Sequence, residues 1–310
     1  MTDAGLRIAV VGVPGQWSTE ALATALEDRT GFRHVVDFGT VAFDSTRGTI
    51  MHGDVDLCGL DALAVKKLGE TYHPSMQDRI ELLDYIAAAG VEVLSRPGSL
   101  RRVVDRLSGT LVLQHAGIPI PPTVVTEECM AAVHAVERFG AAILKPLYTT
   151  KARGMRLLIA DGRTDLETEI RAFQSIAGPF LYVQKQVELP ERDLGVAFLG
   201  GRYLGTYARV RGGQAWNTTI RAGGRYERHD PAPQTIELAH RAQALFGLEF
   251  TTVDVAETPS GPVVFEVSAF GGFRGLRDGL GIDAASCFAD HLVQRVRERG
   301  ARARDPVPHA

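Results

Sequence analysis

Residues 251–275 read TTVDVAETPSGPVVFEVSAFGGFRG. Two apolar runs flank a Thr-Pro-Ser-Gly turn, the pattern of a β-hairpin. Each run carries one acid in its middle, Asp254 and Glu266. Side chains alternate between the faces of a strand, so Val253, Val255, Phe265 and Val267 are expected together against a core. Asp254 falls on the opposite face of its strand, and Glu266 and Ser268 on the opposite face of theirs. With the turn centred on Ser260, Asp254 lies directly across from Glu266, Cβ atoms about 5 Å apart. Like charges at that spacing repel unless one is protonated or a cation sits between them. Hard oxygen donors from few protein groups suit magnesium, which keeps waters and meets substrate phosphates. The competing reading, both acids in bulk water, needs only a one-residue slip of register.

The composition narrows the setting. A chain of 310 residues exceeds one small core, so two or three packed units are expected. With 45% apolar residues, 23% charged residues and a net charge of −3, nothing points to nucleic acid or a membrane surface as partner. Cys58, Cys129 and Cys287 form no CxxC or zinc spacing, which reads as free thiols in a reducing compartment. The opening MTDAGLRIAVVGV reads as a first strand rather than a signal peptide, and no run approaches the roughly 20 apolar residues of a membrane span. A cytoplasmic protein is expected, with homo-oligomerisation left open.

Along the chain, Leu6–Val13, HVVDFG, DALAVKKLGE and VEVLS read as strands. They alternate with helices over STEALATALEDR, with Ser18 as its N-cap, and HPSMQDRIELLDYIAAAG. That alternation predicts a parallel sheet covered on both faces, ending near Arg96-Pro97-Gly98. The next unit reads as one long helix, SLRRVVDRLSGTLVLQHAG, then a proline-rich linker into a strand. The helices ECMAAVHAVERFG and RTDLETEIRAFQSIAG follow, around the hairpin AAILKPL and RGMRLLIA, and the strand PFLYVQKQVE closes the unit. The last unit reads as antiparallel: a hairpin turning at Gly200-Gly201, the helix PQTIELAHRAQALFG, the acidic hairpin and a closing helix.

Two further features carry charge into apolar settings. Lys145 sits inside AAILKPL, where a buried ammonium needs an anion such as a phosphate, unless it snorkels from the strand end. YARVRGGQAWNTTIRAGG sets Tyr207, Arg209 and Arg211 on one strand face, followed by Thr218, Thr219 and Arg221. Cations, hydroxyls and glycines in series suit a phosphorylated or carboxylated ligand; a solvated basic hairpin is the alternative. GVPGQW lacks the GxGxxG of dinucleotide loops, and HExxH zinc helices and GxSxG elbows are missing.

Taken in order, these features resemble the ATP-grasp superfamily, specifically the RimK-type glutamate ligases. The resemblance runs from about Asp61 to Val293 through DRLSGTLVLQHAGIPIPPT, GAAILKP, LYVQKQV, ARV…WNTTIRAGG, VDVAE…GPVVFEVSAFGGFRGL and GIDAA. It implies an α/β (α+β) fold: an N-terminal parallel-sheet preATP-grasp domain (1–97), a central lid-bearing subdomain (98–183) and a C-terminal catalytic subdomain (184–299). The two antiparallel-sheet subdomains would enclose ATP, and residues 300–310 would form a flexible tail.

By position, the resemblance gives Lys145 and Arg106 to the nucleotide phosphates and Lys185, Gln186 and Val187 to the hinge strand that reads adenine. Asp193 falls near the ribose, Thr218 and Thr219 on a nucleotide-contacting segment, and Arg209 beside the reacting carboxylate. Asp254, Glu266 and Ser268 fall on the Mg2+ ligands, with Mn2+ as a substitute. The chain departs from the family at Ser268, usually asparagine, at Lys185, usually an acid, and at Gly195, usually arginine. Its lid loop is thinned to TTKARGM, with only Gly154 in place. The implied activity is ATP-dependent ligation of an amino-acid donor, glutamate or similar, to a small-molecule carboxylate acceptor such as a pterin- or furan-type C1 carrier. A ligase acting on a peptide or protein C-terminus, and a non-catalytic ATP-binding regulator, stand as alternatives.

Overall fold

The computed structural model describes residues 5–150, 152–213, 218–220 and 223–304. Lys151, Trp216, Asn217, Arg221 and the chain beyond 304 lie outside the described residues.

The continuous apolar runs at the start become strands buried on both faces. β1 (Ile8–Val11) pairs in parallel with β2 (Val35–Val36). Between them runs α1 (Trp17–Thr30), which starts one residue before the expected Ser18 cap. Gln16 stands at the cap position without a side-chain cap bond, and the Glu20 carboxylate accepts from Gly15 N–H at 2.7 Å. An unforeseen antiparallel meander follows: β3 (Ala42–Asp44), β4 (Thr49–His52) and β5 (Val55–Asp56). β6 (Ala62–Val65), α2 (Met76–Ala88) and β7 (Glu92–Leu94) complete a parallel sheet of order β2-β1-β6-β7. Its alternating side chains feed two cores. Ala9, Val11, Leu63 and Val65 pack with Ile80 and Leu83 of α2. Ile8, Val10, Ala62 and Ala64 pack with Leu22 and Leu26 of α1.

The single long helix expected next is two helices. α3 (Pro97–Val104) stops at Asp105, whose backbone is extended (φ −99°, ψ 119°). Asp105 then caps α4 (Arg106–His115), accepting from Leu107 N–H at 2.9 Å. The break matters because it sets Arg106 at the first position of a new helix.

β8 (Thr123–Thr126), α5 (Cys129–Phe139), β9 (Ala141–Lys145), β10 (Arg156–Ile159), α6 (Leu166–Ala177) and β11 (Leu181–Lys185) form an antiparallel sheet of order β10-β9-β11-β8. α5 and α6 cover one face through Ala132, Val136, Ile170 and Phe173. β12 (Arg192–Leu199) and β13 (Arg202–Val210) turn at Gly200-Gly201, both with positive φ as a tight hairpin turn requires. With β14 (Arg225–Arg228), β15 (Phe250–Thr258) and β16 (Gly261–Ser268) they make a five-stranded antiparallel sheet of order β14-β13-β12-β15-β16.

α7 (Pro233–Ala244) packs on that sheet through Leu238, Ala239 and Ala242. α8 (Phe273–Leu280), not expected from its glycine-rich sequence, covers β13 and β14. α9 (Ala284–Arg304) lies against α1, tied by an Arg29–Asp290 pair at 2.6 Å, and its Phe288 and Leu292 share a core with Ile8 and Val10. Among the described residues no helix is long and apolar enough to cross a membrane.

Candidate active site

The β15–β16 hairpin sets the geometry. Asp254 faces Glu266, and Val253 and Thr252 face Val267 and Ser268, as a turn centred on Ser260 predicts, but between these pairs and the turn the register differs by one residue. Thr258 pairs with Gly261 across the Pro259-Ser260 turn, and Val255 faces Val264. A bulge with Phe265 as its extra residue then restores the Asp254–Glu266 pairing. Phe265 therefore leaves the core row, and fully buried Val264 takes its place. The Phe265 ring instead lies 5.5 Å from Lys145 Nζ, which brings β9 of one antiparallel sheet against β16 of the other.

Each carboxylate has its own arginine. Arg209 Nη1 donates to Asp254 Oδ1 at 3.1 Å, and the same guanidinium donates to both oxygens of Asp193. Thr218 Oγ1 donates to Asp193 as well. Arg106 Nη1 donates to Glu266 Oε2 at 2.8 Å. Lys145, 6% exposed, donates to Gln184 Oε1. Gln184 in turn donates to Thr123 Oγ1 at 3.1 Å and Tyr182 Oη at 3.3 Å. Gln184 is a buried amide in an apolar strand; that was the only sequence signal for it.

The electrostatics follow from burial and neighbours. Burial, with Glu266 and Asp193 nearby, pushes the Asp254 carboxyl up to about 7 against the pull of Arg209. Burial acts upward on Glu266 too, yet Arg106 and Lys145 together hold its carboxyl below the usual range. Burial and the adjacent Arg106 push the Lys145 ammonium down to about 7, although Glu266 and Asp254 oppose this. Burial thus opposes charge at both Asp254 and Lys145. A divalent cation at Asp254 and Glu266 and a polyanion at Lys145 and Arg106 would relieve both ends, so the donor set fits magnesium. Ser268 lies beyond Glu266 on the same strand face, opposite Thr252. Among the described residues no cluster of three or more His, Cys, Asp or Glu could hold a metal unaided.

Gly195, opposite both Tyr207 and Asp254, leaves space for the Tyr207 ring; a Cβ there would come within 2.4 Å of it. Backbone also packs on backbone in the loop before β14, where a Cβ on Gly224 would meet Thr218 O at 2.5 Å. Lys185 and Gln186 continue β11 through N–H bonds to Pro122 O and Ala141 O, at 2.8 and 2.9 Å. The Lys185 side chain is exposed, whereas Gln186 and Val187 are partly buried. These three lie along the strand from Lys145 rather than among the charges. Thr219 follows Thr218, and its carbonyl accepts from Gly224 N–H at 3.1 Å. Arg211 leaves the site and pairs with Glu191 at 3.4 Å.

Two facing antiparallel sheets behind an N-terminal parallel sheet define an ATP-grasp fold. A model of the RimK-like ATP-grasp domain matches residues 103–292, and the chain belongs to that family of carboxylate–amine ligases. It is 24% identical over 310 residues to a tetrahydromethanopterin:alpha-L-glutamate ligase of Methanosarcina acetivorans, covering 90% of this chain and 96% of that one. Among solved structures it resembles the RimK domain ATP-grasp protein of Sphaerobacter thermophilus, with TM-score 0.72 and 24% identity over 92% of this chain and 98% of that one. It also resembles the ATP-grasp ligase PsnB, solved with a precursor variant, Mg and ADP, with TM-score 0.71 and 21% identity over 95% and 99%.

Proposed function

We propose that this protein joins the amine of glutamate, or of a similar amino acid, to a carboxylate of a small-molecule cofactor of the pterin- or furan-type C1-carrier class. The reaction runs through an acyl phosphate made from ATP. The observation that carries this reading is the opposed pair Asp254 and Glu266, bonded by Arg209 and Arg106 respectively, with Lys145 of a third element over the neighbouring Phe265 ring. The name of the Methanosarcina relative supports the pterin class and the glutamate donor.

In this scheme Lys145 and Arg106 bind the β- and γ-phosphates, and the backbone of Lys185, Gln186 and Val187 reads the adenine. Asp193 and Thr218 hold Arg209 in place beside the acceptor carboxylate, with Thr219 following on the nucleotide segment. A carboxylate oxygen attacks the γ-phosphorus, and the bond to the β-phosphate oxygen breaks, releasing ADP. The donor nitrogen then attacks the acyl carbon, loses a proton, and phosphate leaves. Fixed cations aimed where charge develops stabilise both steps. Asp254, Glu266 and Ser268 would hold Mg2+, for which Mn2+ is a substitute. The bound cation neutralises phosphate charge. The enclosing sheets exclude water that would hydrolyse the acyl phosphate.

The test is phosphate release with each of the twenty amino acids and a metabolite extract, with mass spectrometry of the products. Amino-acid-dependent release with a small molecule heavier by one amino-acid residue is expected. A modified peptide C-terminus would move the acceptor to the peptide class. ATP binding without amino-acid-dependent release would make the protein a regulator.

A further inference from the structure

α8 begins where the hairpin of the acids ends, and its N-terminus is pinned to the N-terminal sheet. Lys66, at the end of β6 and 2% exposed, donates to Gly271 O at 2.6 Å and lies 4.4 Å from the Phe273 ring centre. This contact sets α8 against the carboxyl ends of β1 and β6, the edge at which open α/β sheets bind their ligands. There Lys67 donates to Gln16, and Trp17 opens α1.

Two arginines of α8 stand over Trp17. The Arg274 and Arg277 guanidinium carbons lie 5.9 and 4.1 Å from its ring centre, and both side chains are exposed. Arg277 is answered by Asp278 at 2.7 Å. Arg274 makes no ion pair among the described residues. On its other side α8 packs on β13 and β14: a Cβ on the adjacent Gly275 would come within 2.4 Å of the Tyr207 ring, and that ring meets edge-on, at 5.4 Å, the ring of Tyr226, the residue that faces Arg209 across the two strands. The helix that carries Arg274 and the strand that carries Arg209 thus meet at the Tyr207–Tyr226 pair, Arg274 beside an indole and Arg209 beside the reacting centre.

We propose that Arg274, backed by Trp17 and Arg277, is a specificity-determining residue that binds a second anionic group on the acceptor, a carboxylate or a phosphate. This rests on the ligase reading, in which the reacting carboxylate lies at Arg209. Arg277 takes the close place over the indole at 4.1 Å, and Arg274 stands beside it at 5.9 Å with no ion pair among the described residues, so the planar fork of Arg274 has donors open to bidentate capture of an oxyanion. The acceptor class is therefore a dianionic small molecule rather than a simple monocarboxylic acid.

The test is isothermal titration calorimetry on the full chain loaded with Mg·ADP, using two pairs of probes. Pteroyl-L-glutamate is compared with pteroate, and 4′-phosphopantothenate with pantothenate, so that both members of each pair carry a carboxylate. The member carrying the extra anion in at least one pair is expected to bind about tenfold tighter, a typical loss for one charge-assisted contact. Preference within the first pair identifies a carboxylate, and within the second a phosphate. Arg274→Ala should erase the preference and Arg274→Lys should keep part of it, with Mg·ADP affinity unchanged in both as proof of folding. Equal binding within both pairs, no binding of any probe, or a preference that survives Arg274→Ala overturns the subsite. Failure of Mg·ADP to bind the wild-type chain instead overturns the ligase reading on which it rests.

Discussion

Asp254 and Glu266 face each other across β15 and β16, and each is held by an arginine from a different part of the chain, Arg209 of β13 and Arg106 of α4. The two pairs differ in burial. Asp193 and Asp254 are 9% and 19% exposed, whereas Glu266 is 40% exposed.

Arg209→Met leaves two poorly solvated carboxylates without a counter-charge. Breaking a buried pair this way costs about 3 kcal/mol or more, against about 1 kcal/mol where one partner is well exposed. Arg209→Met should therefore lower the ligand-free melting temperature clearly more than Arg106→Met. Added Mg2+ should recover part of the Arg209→Met loss. Equal losses in thermal denaturation would contradict the charge arrangement described.

Gly275→Ala should destabilise the protein although it sits in a helix. Alanine in place of glycine would favour α8 by about 1 kcal/mol. Its Cβ, however, would lie 2.4 Å from the Tyr207 ring, which belongs to a buried side chain. Overpacking costs about 1–3 kcal/mol and wins. The loss, read from urea midpoints, should vanish in a Tyr207→Leu background.

Lys66 ties stability to pH. Burial, with Lys67 nearby, pushes its ammonium down to about 7 from 10.5. Between those values the unfolded chain binds more protons than the folded one, so stability rises with pH and is lost as pH falls toward 7. One such group contributes up to about 1.4 kcal/mol per pH unit. Lys145 acts with the same sign. Lys66→Met should reduce the slope of unfolding free energy between pH 7 and 10 without removing it. An unchanged slope would mean that Lys66 does not titrate in that window.

The parallel sheet was legible because Ile8–Val11 and Ala62–Val65 are unbroken apolar runs that only a doubly covered strand explains. The opposed acids were read from a turn centred on Ser260; the turn is one residue tighter, and the pairing holds because the Phe265 bulge makes up the difference. Phe265 was assigned to the wrong face because a bulge shifts the register without any residue type that announces it. The break at Asp105 was hidden, since helical periodicity runs through it and an aspartate serves equally inside a helix or at its cap. α8 was hidden by its glycines, which are there to admit Tyr207. The ion pair from Arg106 to Glu266 joins residues far apart in sequence, and no local pattern encodes such a contact.

ATP turnover by the Asp254→Asn, Glu266→Gln double variant tests the site most directly. It is measured as amino-acid-dependent phosphate release at saturating Mg2+. Both substitutions keep shape and remove charge, so the fold should persist while turnover falls by at least about a hundredfold, the scale of losing a principal electrostatic stabiliser. Turnover equal to the wild type would contradict the proposal that these two carboxylates form the floor of a magnesium–ATP site.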